Sequence, residues 1–134
     1  MARRSSTLGN HGKHLAPFRK ALIAMLDDSS PRVASLAAIA LSNHGHKDAI
    51  EPAIKLLEKN DDKDVVLRHA GIMVLTKCAN FAPDWRYFDH HSTAVRRAIV
   101  IALRRHKSHL LETYFGDRDQ SVRQEANRAA YEMD

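Results

Sequence analysis

The sequence predicts an all-α protein, a right-handed α-solenoid of about four stacked helical hairpins. Alanine and aliphatic residues dominate an apolar share of 44%, whereas aromatic residues make up 6% and glycines number five. This composition favours helices that approach one another closely. Four segments align without gaps from residues 30, 64, 92 and 119. Each segment begins with a residue whose side-chain oxygen can cap a helix: Ser30, Asp64, Ser92 and Asp119.

The four segments also share an apolar stripe with helical spacing. Three residues after the capping residue, they carry Val33, Leu67, Val95 and Val122. Further apolar residues, many of them small, follow four, seven and eight positions later, which is the period of one helix face. The pattern predicts inner helices over residues 30–43, 64–78, 92–106 and 119–133.

More amphipathic segments precede these inner helices. Residues 14–26 and 47–59 are expected to form full helices, and residues 108–115 a shortened one. The stretch 81–90 is the least regular, and its aromatic residues are expected to fill the gap left by a short helix. Residues 8–12 echo residues 41–45. We therefore expect residues 1–134 to form a single repeat domain that is a fragment of a longer array.

The aligned segments resemble the HEAT repeat, including its PBS-lyase-like variants, in the string Val-Arg-x-x-Ala-x-x-Ala-Leu that follows an aspartate-containing turn. In that family a turn aspartate stands six residues before the helix arginine, and these residues form a ladder between adjacent repeats. The residues at the ladder positions are Asp28, Asp62, Arg68, Arg96, Asp117 and Arg123. Since Ala34 replaces one arginine and His90 one aspartate, the ladder is expected to be incomplete.

A narrower resemblance concerns the strings at residues 67–71, 95–98 and 125–131. They are similar to the helical region of large bacterial proteins that join a sugar-dehydrogenase-like β-propeller, HEAT repeats and a haem-attaching CxxCH domain. Neither the propeller nor a CxxCH motif is present in this sequence. The resemblance implies a spacer or docking surface that acts outside the cytoplasm.

The inner-helix positions that face away from the apolar stripe predict the function. In a stacked array they line up along the concave surface. The residues expected to bind a partner there are His69, Ile72, Arg97, Val100, Arg104, Gln124 and Tyr131. An apolar strip with a positive centre suits a protein or peptide, including an acidic one. We therefore predict a non-enzymatic interaction module without a cofactor.

Two alternatives remain open from the sequence. The formal charge is +5, and the basic segment 96–109 contains no acidic residue, so this segment could attract nucleic acid through phosphate contacts. Little aromatic character is interleaved with this charge, which argues against such a site. The second alternative is a passive spacer beside a catalytic domain.

Metal and membrane sites are not predicted. Nine histidines include the close pairs at residues 44 and 46, 90 and 91, and 106 and 109, but most lie at expected helix ends. Cys78 has no CxxC partner and is expected to be an inert buried thiol. The longest apolar run, residues 36–41, is too short to cross a bilayer, so no membrane insertion is expected. A single cysteine leaves the cellular compartment open.

Overall fold

The computed structural model describes residues 17–133, and these residues form helices joined by turns, without a β-strand among them. The expected echo at residues 8–12 and the start of the first amphipathic segment lie outside the described residues. We number the α-helices within this range in chain order: α1 (17–25), α2 (Pro31–His44), α3 (Ile50–Asn60), α4 (Val65–Cys78), α5 (Thr93–Arg105) and α6 (Gln120–Met133). The 3-10 helices are Lys47–Ala49, which leads into α3, and His109–Tyr114, which precedes α6.

The helices pack in two layers. Helices α2, α4, α5 and α6 form the inner layer, in which each helix packs on the next along the chain. Helix α3 packs against α4 and α5, and the 3-10 helix His109–Tyr114 packs against α5 and α6. These two outer elements thus each contact their own inner helix and a neighbouring one. This arrangement confirms the predicted α-solenoid of helical hairpins.

The predicted capping residues begin the inner helices. The Ser30 hydroxyl accepts the Val33 amide at 3.4 Å, and the Ser92 hydroxyl accepts the Val95 amide at 3.3 Å. Asp64 caps α4 through a carboxylate oxygen, which accepts the Val66 amide at 2.7 Å. Each side chain satisfies an amide that has no partner within its own helix. The inner helices therefore begin at equivalent positions of the repeat.

The apolar stripe forms the core between the layers. Val95 and Val122 are fully buried at the start of α5 and α6. In α4 the equivalent residue is Leu67, and Gly71 follows it by four positions. Gly71 faces α3 so closely that an added Cβ would lie 2.5 Å from Leu57 Cγ. Only glycine permits this approach, because any side chain would overlap the leucine. The small residues of the stripe thus set the distance between the layers.

The irregular stretch before α5 is filled by aromatic side chains, as the sequence suggested. The Phe81 and Trp85 rings pack edge to face with centroids 4.9 Å apart, and Phe88 lies 5.2 Å from Trp85. Buried Tyr114 donates its hydroxyl hydrogen to the Phe88 carbonyl at 2.7 Å. This cluster occupies the outer layer of the third hairpin, where a full helix is missing.

Within residues 17–133, no helix combines the length and the hydropathy that a membrane-spanning helix requires.

Candidate partner-binding face

The inner face of the solenoid is defined by the side of each inner helix that points away from the outer layer. In α4, Gly71 faces Leu57 of the outer helix α3. A residue two positions later is rotated by about 200° around the helix axis, so Met73 lies on the opposite side. Ile39 of α2 and Ile101 of α5 occupy the equivalent repeat positions. We call Ile39, Met73 and Ile101 the inner ridge.

The inner ridge replaces two residues that the sequence analysis placed on this surface. Ile72 and Val100 are 4% and 0% exposed, respectively, so their placement on the binding surface was wrong. Their repeat position is rotated by about 100° from the outer contact at Gly71, and the two side chains belong to the core. In contrast, Ile39 is 42% exposed, and Met73 and Ile101 are partly exposed.

Charged and polar side chains border the inner ridge on one side at the repeat position four residues earlier. His69 and Gln124 are exposed there, and Arg97 lies between them in the stack. The Arg97 side chain is 33% exposed and forms an ion pair at 2.9 Å with Asp62, which ends the turn after α3. This aspartate holds the guanidinium at the edge of the face and neutralises part of its charge.

The other border lies three residues after the inner ridge. It contains Thr76, Arg104 and Tyr131. Arg104 forms a 3.4 Å ion pair with Glu132 of the next helix, and its side chain stays 33% exposed. Tyr131 is 84% exposed at the end of the array. There it borders a groove of about 380 Å³ between α6 and the preceding 3-10 helix.

Several cations near this border have no acidic partner among the described residues. Lys77, Arg105 and Lys107 are exposed at and after the ends of α4 and α5, and no ion pair joins them to another described side chain. Arg128 is likewise exposed on α6. This side of the inner face therefore carries uncompensated positive charge.

Ladder positions are occupied unevenly. The guanidinium of Arg96 is 2% exposed and binds both carboxylate oxygens of Asp117, at 2.9 and 3.2 Å. It also donates to the carbonyl oxygens of His90 and His91, at 2.8 and 3.1 Å. The buried charge is thus paired and hydrogen-bonded, as burial of a charge requires. This pair joins the third hairpin to the fourth.

The remaining ladder residues make weaker or different contacts. Arg123 donates to the backbone carbonyl of Asp117 at 2.6 Å, and Asp28 accepts only the nearby Ser30 amide among the described residues. Arg68 has no ion pair or side-chain hydrogen bond to a described residue. Asp62, six residues before Arg68, binds Arg97 instead. The expected ladder contact of Arg68 with a turn aspartate is therefore absent from the described part of the chain.

One group of metal-type ligands occurs in the described residues. One ligand atom each from Glu58, His90 and His91 lies within 4.8 Å of the others. However, Nδ1 of His90 accepts the Ser92 amide at 3.0 Å, so the neutral ring keeps its hydrogen on Nε2, the nitrogen that faces Glu58. A nitrogen that carries hydrogen cannot bind a metal. The remaining pair is too small for a zinc site.

Cys78 is buried at the end of α4, 8% exposed, with its Sγ 3.6 Å from the Leu41 carbonyl oxygen. Burial raises the pKa of this thiol, which disfavours the reactive thiolate. The thiol is a packing residue.

Sequence reasoning missed the inner ridge because it assigned the repeat position of Ile72 and Val100, and not the next one, to the face opposite the outer layer. Met73 lies two residues after the glycine that marks the contact with α3, and a two-residue step reverses the direction of a helical side chain. Ile39 and Ile101 stand at the aligned positions. The signal was therefore present in the repeat alignment, once Gly71 was taken as the mark of the outer contact.

Comparison with protein families gives one match. Residues 19–80, which span α1 to α4, match the family model described as HEAT repeats. No curated protein matches the chain significantly. The matched segment covers the first two hairpins, and the gapless alignment of the four inner helices extends the same pattern to residue 130. The narrower likeness to propeller and haem-domain proteins finds no support in these comparisons.

Proposed function

Residues 19–80 match the HEAT-repeat family model, and from this match we propose that the chain is an interaction scaffold whose inner face binds an acidic protein segment with apolar anchors. HEAT repeats generally serve as protein-interaction scaffolds and are typically not enzymes. The observation that carries the proposal is the inner ridge. Its apolar side chains occupy the same repeat position and remain at least partly accessible on three successive inner helices.

The inner ridge supplies the anchoring part of the proposed site. Apolar side chains that a partner covers contribute roughly 25 cal/mol per Å² of buried area. Neighbouring packed helices lie about 8–10 Å apart, so the inner ridge presents apolar positions at roughly that interval. A partner helix with apolar residues seven positions apart repeats at a similar distance, about 10 Å. A helical partner segment therefore matches the inner ridge in spacing.

Charge along the borders supplies the selectivity. Arg97 and Arg104 reach the face but are partly neutralised by Asp62 and Glu132. Lys77, Arg105 and Lys107 have no such partner among the described residues, so they favour carboxylates on the bound segment. Exposed charge pairs mainly raise association rates and determine orientation, and salt weakens them. An acidic amphipathic helix satisfies both requirements.

The test selects a ligand and then challenges it with variants of the face. A display library of 16-residue helical peptides, with varied acidic and apolar positions, is enriched on the folded chain. The binding of enriched peptides is then measured by fluorescence anisotropy. We expect Met73→Glu and Ile101→Glu each to weaken binding at least tenfold, which is the loss of about 1.4 kcal/mol.

The matched control is Phe18→Glu. Phe18 is 54% exposed on α1, which precedes the inner helix α2 as the outer helix α3 precedes α4. By this repeat, the same loss of an apolar side chain and gain of charge occurs in the outer layer. This variant is expected to bind as the wild type does. If Phe18→Glu weakens binding as much as Met73→Glu does, the inner face is not the binding site.

A labelled 20-nucleotide DNA duplex serves as the competing ligand. The proposal expects the acidic peptide to bind the chain more tightly at physiological salt than DNA does. DNA binding that falls steeply with salt and is lost in Arg105→Glu, with no peptide enriched, would instead support the nucleic-acid alternative.

A further inference from the structure

The turn before α5 differs chemically from the equivalent turns before α2 and α6. In those turns a carboxylate oxygen accepts the amide two residues later, at 2.8 and 2.9 Å; the pairs are Asp28 with Ser30 and Asp117 with Asp119. Before α5 the acceptor is Nδ1 of His90, which lies 3.0 Å from the Ser92 amide nitrogen. A neutral imidazole thus replaces the carboxylate in this turn. Ser92 in turn caps α5, so the hydrogen bond holds the start of that helix.

The His90 ring lies at the contact between the second and third hairpins. Its side chain is 14% exposed, and Nε2 is 3.9 Å from the Glu58 carboxylate of α3. The ring stacks on His91, with centroids 4.4 Å apart, and His91 also binds Glu58. Two arginines also lie near His90, since Arg96 and Arg118 both donate to its backbone carbonyl. Arg96 is paired with Asp117, and Arg118 is paired with Asp89. The charged and titratable groups around the ring are therefore Glu58, His91 and these two ion pairs. The ring therefore connects α3 with the turn that begins α5.

A proton changes what this ring can do. When Nδ1 accepts the Ser92 amide, its lone pair is occupied, and the single hydrogen of the neutral ring is on Nε2, toward Glu58. A second proton must bind at Nδ1, where it would face the N–H of Ser92. Two donors cannot share a hydrogen bond, so the ring must turn away or the turn must open. An aspartate at this position would keep its acceptor at any pH above about 4.

We propose that His90 is a proton-sensitive latch, which in its neutral form holds the start of α5 and on protonation below about pH 6.5 releases the Ser92 amide and loosens the junction of the second and third hairpins.

The electrostatic setting agrees with this geometry. Burial, followed by the neighbouring His91 and Arg96, lowers the pKa of His90 below the usual value, and Glu58 opposes this only in part. The unfolded chain therefore binds the proton more readily than the folded chain. The stabilisation by the neutral ring is fully present above about pH 6.5 and is lost as the pH falls toward the lower pKa of the folded state.

The latch bears on the inner face because α5 supplies its central part. Arg97, Ile101 and Arg104 all lie on α5, whose first turn begins after Ser92. A looser start of α5 moves the middle of this surface relative to α4. Acidification is therefore a physical signal that the fold converts into a change of junction geometry, whether or not the inner face binds the proposed ligand.

The experiment follows the amide that the latch holds. Hydrogen exchange of the Ser92 amide is measured by NMR at pH 7.5 and pH 5.0, with each rate divided by the intrinsic rate of an unstructured peptide. We expect protection in the wild type to fall about fivefold at pH 5.0, the factor that corresponds to one hydrogen bond. His90→Asn keeps an acceptor for the Ser92 amide without titrating, so its protection is expected not to change.

The control is His91→Gln, which removes the adjacent exposed histidine and keeps His90. It is expected to retain the pH response of the wild type. The proposal is overturned if His90→Asn loses protection as the wild type does, or if the response disappears in His91→Gln and not in His90→Asn. Should His90→Asn fail to fold, the imidazole nitrogen shifts of the wild type at pH 7.5 decide. Hydrogen on Nε2 supports the latch, and hydrogen on Nδ1 refutes it.

Discussion

The junction of the third and fourth hairpins and the junction of the second and third hairpins are built on equivalent positions, yet they are held differently. At the former, Arg96 is almost fully buried and binds the carboxylate of Asp117 with two hydrogen bonds. At the latter, the equivalent arginine is Arg68, which has no ion pair with a described residue. The two junctions differ at one ladder position, because the residue equivalent to Asp117 in the third hairpin is His90.

The comparison shows which residues form one unit of the ladder. The arginine of one hairpin pairs with the aspartate of the following hairpin, and not with the aspartate that precedes it in its own hairpin. A missing aspartate therefore leaves the arginine one hairpin earlier without a partner. A missing arginine likewise leaves the aspartate of the following hairpin without its ladder partner. Ala34 has no charged group that could pair with Asp62, and Asp62 forms an ion pair with Arg97 instead.

The largest expected effect comes from breaking the occupied junction. Arg96→Met leaves the Asp117 carboxylate buried, with a side chain only 6% exposed, and without its charge partner. Loss of one member of a buried pair typically costs about 3–5 kcal/mol of unfolding free energy. Urea unfolding monitored by circular dichroism measures the change. Arg68→Met is the matched control, and an equal loss in both variants would contradict the comparison.

A second test concerns packing within the hairpins. Gly71→Ala places a methyl group 2.5 Å from Leu57 Cγ, so the buried Leu57 side chain or the two helices must shift, and we expect a loss of about 1–3 kcal/mol. Gly116, in the turn between the 3-10 helix His109–Tyr114 and α6, has no atom within 4 Å of an added Cβ. Gly116→Ala is therefore expected to change the unfolding free energy by less than about 0.5 kcal/mol. Thermal melts of the two variants decide, and similar melting temperatures would refute the close approach at Gly71.

These contacts also show how much the sequence could predict. The caps Ser30, Asp64 and Ser92 were readable, because an N-cap depends on residues that are adjacent in the chain. The solenoid followed, since apolar residues recur in step across four segments. The replacement of the ladder aspartate by His90 was also visible in the alignment.

The sequence did not predict in the same way where side chains point or which residues pair across the junctions between hairpins. The sequence placed Ile72 on the surface, but the packing of the hairpins leaves it 4% exposed within the core. The spacing of Asp62 and Arg68 matched the family pattern, yet Asp62 turns to Arg97 across the junction. Such contacts depend on how successive hairpins rotate in the stack, and this rotation is determined by side chains far apart in sequence.

A smaller change in the free energy of unfolding distinguishes two partly exposed arginines, Arg123 and Arg68. Arg123 donates a hydrogen bond to the Asp117 carbonyl at 2.6 Å, so Arg123→Ala is expected to cost about 1 kcal/mol. Arg68→Ala is expected to cost less than about 0.5 kcal/mol, since no described group loses a donor. The midpoints of urea unfolding, compared at a shared slope, measure both. A loss at Arg68 that equals or exceeds the loss at Arg123 would show that Arg68 has a partner after all.

The smallest effect tests whether the missing ladder unit can be restored. His90→Asp supplies a carboxylate at the position that Asp117 occupies one hairpin later. If the junctions are equivalent, the new carboxylate pairs with Arg68, and the double-mutant cycle with Arg68→Ala gives a coupling of about 0.5–1 kcal/mol. The single variant also keeps an acceptor for the Ser92 amide. Strict additivity of the two changes would mean that rotation between the hairpins, and not the absent aspartate alone, keeps Arg68 unpaired.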